Sequence, residues 1–121
     1  MGESLEMYLE TIYVLKSQRE KIKAIDIVNY MNLSKPSVSA GLKKLEQNFL
    51  ITRDLKQYIS LTQKGEEVAK AMYEKCQTII KFLEIIGVDN TTAKKDACKI
   101  EHILSQTSLE CISAVVNNRC I

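Results

Sequence analysis

The sequence predicts a mainly α-helical fold with a single short β-hairpin near its middle. Three observations carry that expectation. Apolar residues recur at helical spacing over most of the 121 residues. One proline and four glycines are too few for a loop-rich or all-β chain. One stretch, residues 50–61, alternates in the manner of paired strands.

Each element follows from local signals. Residues 4–17 read as a helix that Ser4 can cap, with Leu5, Leu9, Ile12 and Tyr13 at helical spacing. The polar run Ser17-Gln18-Arg19-Glu20-Lys21 breaks it. A short helix at about 24–31 places Ile25, Val28 and Met31 on an apolar face, with Ile27 beside them. Ser34 is a good N-cap for the next helix, and Pro36 is tolerated only in a first helical turn. That helix runs to about Glu46. Val38, Leu42 and Leu45, at i, i+4 and i+7, turn to the core and leave Ser39, Ala40, Lys43 and Lys44 outward.

Residues 50–61 form two short strands and a turn, with Ile59 and Leu61 on one alternating face, although the turn has no glycine. Thr62 caps a long helix whose stripe is Val68, Met72, Cys76, Ile79, Ile80 and Leu83. Gly87-Val88-Asp89-Asn90 ends it, and further helices span about 91–104 and 106–117.

Two short helices joined by a tight turn and followed by a hairpin make a winged helix-turn-helix. Residues 1–62 are therefore expected to form a winged helix-turn-helix DNA-binding domain. Residues 63–121 are expected to form an all-helical dimerisation domain, because a six-turn helix with one continuous apolar face more often finds a partner; the ligand set and the resemblance described below make it a metal-binding domain as well.

Composition bounds the function. Apolar residues make up 45% and charged residues 26%, as in a globular protein. No apolar run approaches the ~20 residues of a membrane span, and the N-terminus lacks a signal-peptide pattern. A cytoplasmic protein without a membrane partner is expected. The cysteines, Cys76, Cys98, Cys111 and Cys120, form no Cys-x-x-Cys pair, so a zinc ribbon and a thioredoxin motif are excluded. The net charge is only +2. It resides in the first half, where residues 32–45 hold Lys35, Lys43 and Lys44 with no acid. No nucleophile–base pair or Gly-rich phosphate loop is present, which argues against an enzyme and against a small-molecule substrate.

The helix beginning at Ser34 presents Lys35, Pro36, Ser37, Ser39, Ala40 and Lys43. Such a helix fits the major groove with its N-terminal residues against base edges. Its free N–H groups favour phosphate. Ser37 and Ser39 can hydrogen-bond to phosphates or bases, and Pro36 and Ala40 suit thymine methyls. With no outward Arg, Asn or Gln in the first two turns, DNA shape and methyl contacts should outweigh bidentate base reading. Lys56 in the hairpin adds a further cation. The competing interpretation is a helical hairpin with an ordinary solvated lysine face.

Cys98, Glu101 and His102 stand at i, i+3 and i+4 and share a helix face, offering thiolate, carboxylate and imidazole to a transition metal. Met7 and Glu10, at i and i+3 on the first helix, lie off its core face and could complete a site. Each signal alone is weak: a Glu-His pair is usually solvated, a Met usually core, and Cys76 on an apolar stripe is more often a small buried hydrophobe.

The stretches Ser4–Tyr13, Asp26–Val28, Leu33–Ser39, Leu61–Gly65, Phe82–Asp89 and Asp96–His102 together resemble the diphtheria-toxin-repressor and manganese-transport-regulator (DtxR/MntR) family of metal-dependent transcriptional repressors. The resemblance implies a homodimer that binds double-stranded operator DNA when a divalent metal is loaded and controls metal homeostasis genes. It implies the short form, without the C-terminal SH3-like domain of long iron-type members. Met7, Glu10, Cys98, Glu101 and His102 fall at the positions of the family's regulatory metal ligands.

Met at position 7 and Cys at position 98 follow the iron-type pattern, where the manganese type has Asp and Glu. Thioether and thiolate suit Fe(II) or Zn(II) better than Mn(II). Fe(II) is therefore favoured, with Mn(II) and Zn(II) as alternatives. The chain departs from the family at Cys76 (a histidine in the family), Ile80 (an acid in the iron type) and Lys94 (a histidine in the iron type). A second, ancillary site therefore looks dismantled, while Cys76 is a candidate second thiolate. Two rivals remain at this point: a winged-helix factor sensing redox state or a small molecule through its cysteines or domain interface, and an interaction protein with no DNA partner.

Overall fold

A computed structural model describes residues 3–118; the side chain of Ser4, the expected first cap, and Cys120 lie outside what it describes. The order is α1 (Glu3–Gln18), α2 (Ala24–Met31), α3 (Lys35–Gln47), β1 (Ile51–Arg53), β2 (Ile59–Leu61), α4 (Gln63–Ile85), α5 (Asn90–Ile100) and α6 (Gln106–Asn118). The chain divides into two compact units, residues 1–70 and 71–121, with the boundary inside α4.

In the first unit α1 packs on α2 and α3, and α3 on β1. Leu9, Ile12 and Leu15 of α1, Ile27 of α2, and Val38, Leu42 and Leu45 of α3 are almost wholly buried. The α3 residues are the set expected from its periodicity. In α2 the expectation needs correcting: Ile27 enters the core, whereas Ile25 is 45% exposed. A two-turn helix packs only a narrow stripe, and the one residue it centres on is Ile27.

Capping fixes the turn between α2 and α3. Asn32 takes the left-handed conformation (φ 58°, ψ 41°) that ends α2, and its N–H donates to the Val28 carbonyl at 2.9 Å. Asn tolerates that conformation better than most residues. The Ser34 hydroxyl then accepts from the Ser37 N–H at 3.3 Å and starts α3. At the far end of α3, Phe49 sits at φ 59°. Its N–H reaches the Glu46 carbonyl, and the Leu50 N–H reaches Leu45, which is the Schellman arrangement normally built on glycine. Burial of Leu45 and Leu50 on each side holds the strained residue in place.

The hairpin is antiparallel, with Ile51 opposite Leu61 and Arg53 opposite Ile59. Gln57, at φ 70°, supplies the left-handed residue that the glycine-free turn lacks. The Asp54 carboxylate accepts from the Lys56 and Tyr58 N–H groups at 2.9 and 3.0 Å and pins the loop. Thr62 caps α4 as expected: its hydroxyl accepts from Gly65 N–H at 3.0 Å and donates to the Phe49 carbonyl at 2.7 Å. A Cβ at Gly65 would collide with the Leu50 carbonyl, so this close approach requires glycine.

In the second unit the core is Ile79, Ile80, Ala93 and Ala97, with Cys76, Leu83, Val88, Ile100, Leu104 and Leu109 packed around it. Gly87, at φ 102°, ends α4, with its N–H on Glu84 and the Val88 N–H on Leu83. Asp89 caps α5 by accepting from Thr92 N–H at 3.0 Å. That backbone bond, joined by the Thr92 hydroxyl, holds the Asp89 carboxyl below its ordinary range. The α5 helix ends at Ile100 instead of about 104. From His102 the backbone bonds shift to i→i−3, with His102 on Lys99 and Ile103 on Ile100, so Glu101, His102 and Ile103 form a tight turn.

Candidate metal centre and nucleic-acid interface

The candidate interface is the solvent face of α3. Ser34, Lys35, Pro36, Ser37, Ser39, Ala40 and Lys43 are all exposed, and the first turn carries no acid to offset the positive end of the helix. Behind that face the helix is held rigidly. The buried Tyr8 ring of α1 lies so close to Gly41 that a Cβ there would overlap it, and the Tyr8 hydroxyl donates to the Ser37 carbonyl at 3.2 Å. Neither residue carried a recognisable signal in the sequence, because close ring-to-backbone packing leaves no periodic trace.

The hairpin is tied to the same helix. Arg53 donates to Glu46 Oε1 through Nη2 at 2.6 Å and Nε at 3.1 Å, in a half-buried pair. Lys56 is exposed on the hairpin turn. Beside it, Lys21 and Lys23 lie over the face of the Tyr58 ring, their ammonium groups 5.3 and 4.7 Å from its centroid. The expected polar break stops at Lys21 and gives Ile22 and Lys23 no role. The signal there is the pair of lysines flanking Ile22, which is wholly buried and whose carbonyl accepts from the Ile59 N–H at 2.9 Å.

The candidate metal ligands fall in both units. In the second, Cys76 projects from the middle of α4 and is half-buried. A Glu101 carboxylate oxygen and the Cys76 Sγ lie within 4.8 Å of each other. His102 Nε2 stands 3.3 Å from Glu101 Oε1, and the His102 and Glu101 side chains are only 3% and 2% exposed. The turn after α5 thus brings carboxylate and imidazole together beside a thiol, below the surface. Cys98, one turn earlier on α5, is exposed. In the first unit, Glu10 is half-buried and Met7 is 37% exposed, one turn apart on α1.

The donor set fits a divalent transition metal. An ionised carboxylate below the surface is costly without a neighbouring cation, and thiolate, carboxylate and imidazole are the ligands such an ion selects. Ile80 and Lys94, where the resemblance implied ancillary ligands in the iron type, are core and exposed respectively.

The comparisons with known proteins agree with this geometry. The iron-dependent repressor N-terminal DNA-binding domain matches residues 1–54. The iron-dependent repressor metal-binding and dimerisation domain matches residues 62–119. An HTH-type transcriptional regulator of Methanocaldococcus jannaschii is 38% identical over 112 residues, covering 91% of this chain and 90% of that protein. The HTH-type transcriptional regulator MntR of Bacillus subtilis is 30% identical over 113 residues, covering 93% and 80%. Among solved structures, the manganese regulator SloR superposes with a TM-score of 0.82 at 32% identity. The metal-dependent transcriptional regulator MtsR does so at 0.85 and 27%. The match takes in 93% of this chain but only 53% of either solved chain, so this chain spans about half their length.

These regulators are not enzymes. Two family models that together span nearly the whole sequence, and a relative at 38% identity over its length, show that the chain belongs to the iron-dependent repressor family of metal-dependent transcriptional regulators.

Proposed function

We propose that this chain is a metal-switched repressor in the cytoplasm that binds operator DNA as a homodimer and controls metal homeostasis genes. The observation that carries the reading is the buried Glu101–His102 pair beside Cys76, a ligand group in the half of the chain that matches a metal-binding domain.

In this proposal Glu101 and His102 would hold the ion from residues 63–121 together with Cys98, Cys76 being the candidate second thiolate. Met7 and Glu10 of the DNA-binding domain, residues 1–62, would be the further donors. When bound, a divalent metal would supply a Lewis-acid centre. The carboxylates of Glu10 and Glu101 would balance its charge, and the Glu101 and His102 side chains, 2% and 3% exposed, would shield it from water. In the metal-loaded dimer the two α3 helices would meet half-sites one duplex turn, about 34 Å, apart. Such a ligand acts only through its differential affinity for the ordered state.

Ligand chemistry favours Fe(II). One or two thiolates and the Met7 thioether suit Fe(II) or Zn(II) better than Mn(II). The family match itself supports a divalent metal without choosing among them, and related structures are described with manganese and with zinc.

The α3 residues Ser34, Lys35, Pro36, Ser37, Ser39, Ala40 and Lys43 contact the duplex in this reading, with Lys56 on a phosphate. An anaerobic pull-down of sheared genomic DNA, in chelator and then with Fe(II), Mn(II) or Zn(II) added singly, tests the reading. Sequence-enriched retention with one metal, Fe(II) first, is expected. Equal enrichment in chelator would remove the metal switch and leave the winged helix.

A further inference from the structure

A cavity of about 380 Å³ opens in the first unit, where the end of α1, strand β2 and the first turn of α4 come together. Tyr13, Lys16, Ser17, Ser60, Leu61 and Glu66 line it. None of the six is a candidate metal ligand, and none lies on α3. The volume falls at the small end of the ~300–1,000 Å³ typical of small-molecule sites.

The walls are preset. Tyr13, Lys16 and Ser17 stand at i, i+3 and i+4 and share one face of α1. Ile12 and Leu15 of the same helix and Ile59 of β2 are almost wholly buried and hold helix and strand in place. Glu66 sits in the first turn of α4, where its N–H donates to the Thr62 carbonyl at 2.9 Å. Little ordering entropy therefore remains to be lost when a ligand enters.

The lining says what would fit. It carries one cation, Lys16, and one acid, Glu66. Among the described residues these two form no ion pair with each other, although they share the cavity. The Lys16 ammonium donates to the Glu20 carbonyl at 2.6 Å, which tethers it and leaves two protons to give. The Ser17 hydroxyl donates to the Val14 carbonyl, so its lone pairs remain to accept. A simple anion would bind Lys16 but meet the like charge of Glu66, and a simple cation would suffer the reverse. A molecule with both charges satisfies both groups. Leu61 and the Tyr13 ring offer an apolar surface for the rest of it.

We propose that this cavity binds a small zwitterion, an α-amino acid with an aliphatic side chain. Its carboxylate lies on Lys16, its ammonium on Glu66 and the serine hydroxyls, and its side chain against Leu61 and Tyr13. The site is an input to the first unit separate from the metal ligands, and it rests on neither the metal switch nor the DNA contacts proposed above.

The test titrates the full chain, in chelator, with L-leucine and L-valine, and with isocaproate and isoamylamine, the leucine analogues that lack the amino and the carboxyl group. Calorimetry and thermal unfolding are the readouts. An amino acid should bind saturably and raise the unfolding temperature, as mass action requires. Each analogue should bind at least about tenfold more weakly than leucine, having lost one charge-assisted contact. Lys16→Gln and Glu66→Gln should each weaken amino-acid binding about tenfold or more. Lys64→Gln, an exposed lysine outside the cavity, should leave it unchanged. Isocaproate or isoamylamine binding as tightly as leucine would overturn the proposal, as would no saturable binding of either amino acid. Wild-type leucine affinity in both cavity variants would overturn it too. Should a variant unfold, the analogue series alone decides.

Discussion

The two units of this protein bury their apolar residues very differently. The first sinks large side chains from every element: Leu9, Ile12 and Leu15 of α1, Ile22, Ile27 of α2, Leu42 and Leu45 of α3, and Ile51 and Ile59 of the hairpin are at most 2% exposed. Among the described residues of the second, the buried apolar core is Ile79, Ile80 and two alanines, and α6 has no buried residue. The second unit leaves Ile86, Ile103 and Val115 between 47% and 79% exposed. A helix gains most of its stability from packing an amphipathic face. The first unit also exposes Ile25, Tyr30, Phe49 and Leu55, but around a large core of its own, whereas the smaller core of the second draws, in the proposed homodimer, on a second copy. In the proposed function the first unit reads DNA, and the second holds the metal and assembles.

The largest expected effect separates the two units directly. Leu42→Ala should cost about 2–5 kcal/mol through the cavity it leaves, and the loss, read from urea unfolding, should not depend on protein concentration. The unfolding midpoint of the second unit, in the wild type and in Ile79→Ala alike, should instead fall on dilution, as mass action requires of a dimer. Concentration independence in both variants would break the comparison.

A smaller effect sharpens it. The folded Asp89 carboxyl is held below its ordinary value of 3.8, chiefly by the Thr92 N–H. Its capping contribution is thus fully present above that value and is lost as pH falls through the lower folded value. The stability difference between the wild type and Asp89→Ala should shrink below about pH 4; a difference constant down to about pH 2 would contradict the capping role.

Much of the first unit was legible because its signals are local. Ser34, Pro36 and the Val38-Leu42-Leu45 spacing define α3 without reference to anything distant. The hairpin was readable from the Ile59/Leu61 alternation, although Gln57 rather than glycine makes the turn. What escaped depends on contacts distant in sequence: Tyr8 against Gly41, and Ile22 bonded to Ile59. The candidate site was legible as chemistry and less so as geometry. Glu101 and His102 were expected on a helix face with Cys98, but α5 ends at Ile100 and a turn carries the pair inward, beside Cys76. Helical spacing cannot report where a helix stops when no glycine or proline marks the place.

The metal switch is tested most directly by Glu101→Gln, which keeps the volume of the side chain and removes its charge. Affinity for a duplex enriched in the pull-down is measured by anisotropy, with metal and with chelator, in the wild type and the variant. The account predicts that metal tightens wild-type binding by roughly 5–150-fold, and that Glu101→Gln binds in both conditions as the wild type does in chelator. A variant that keeps the full metal response would contradict it.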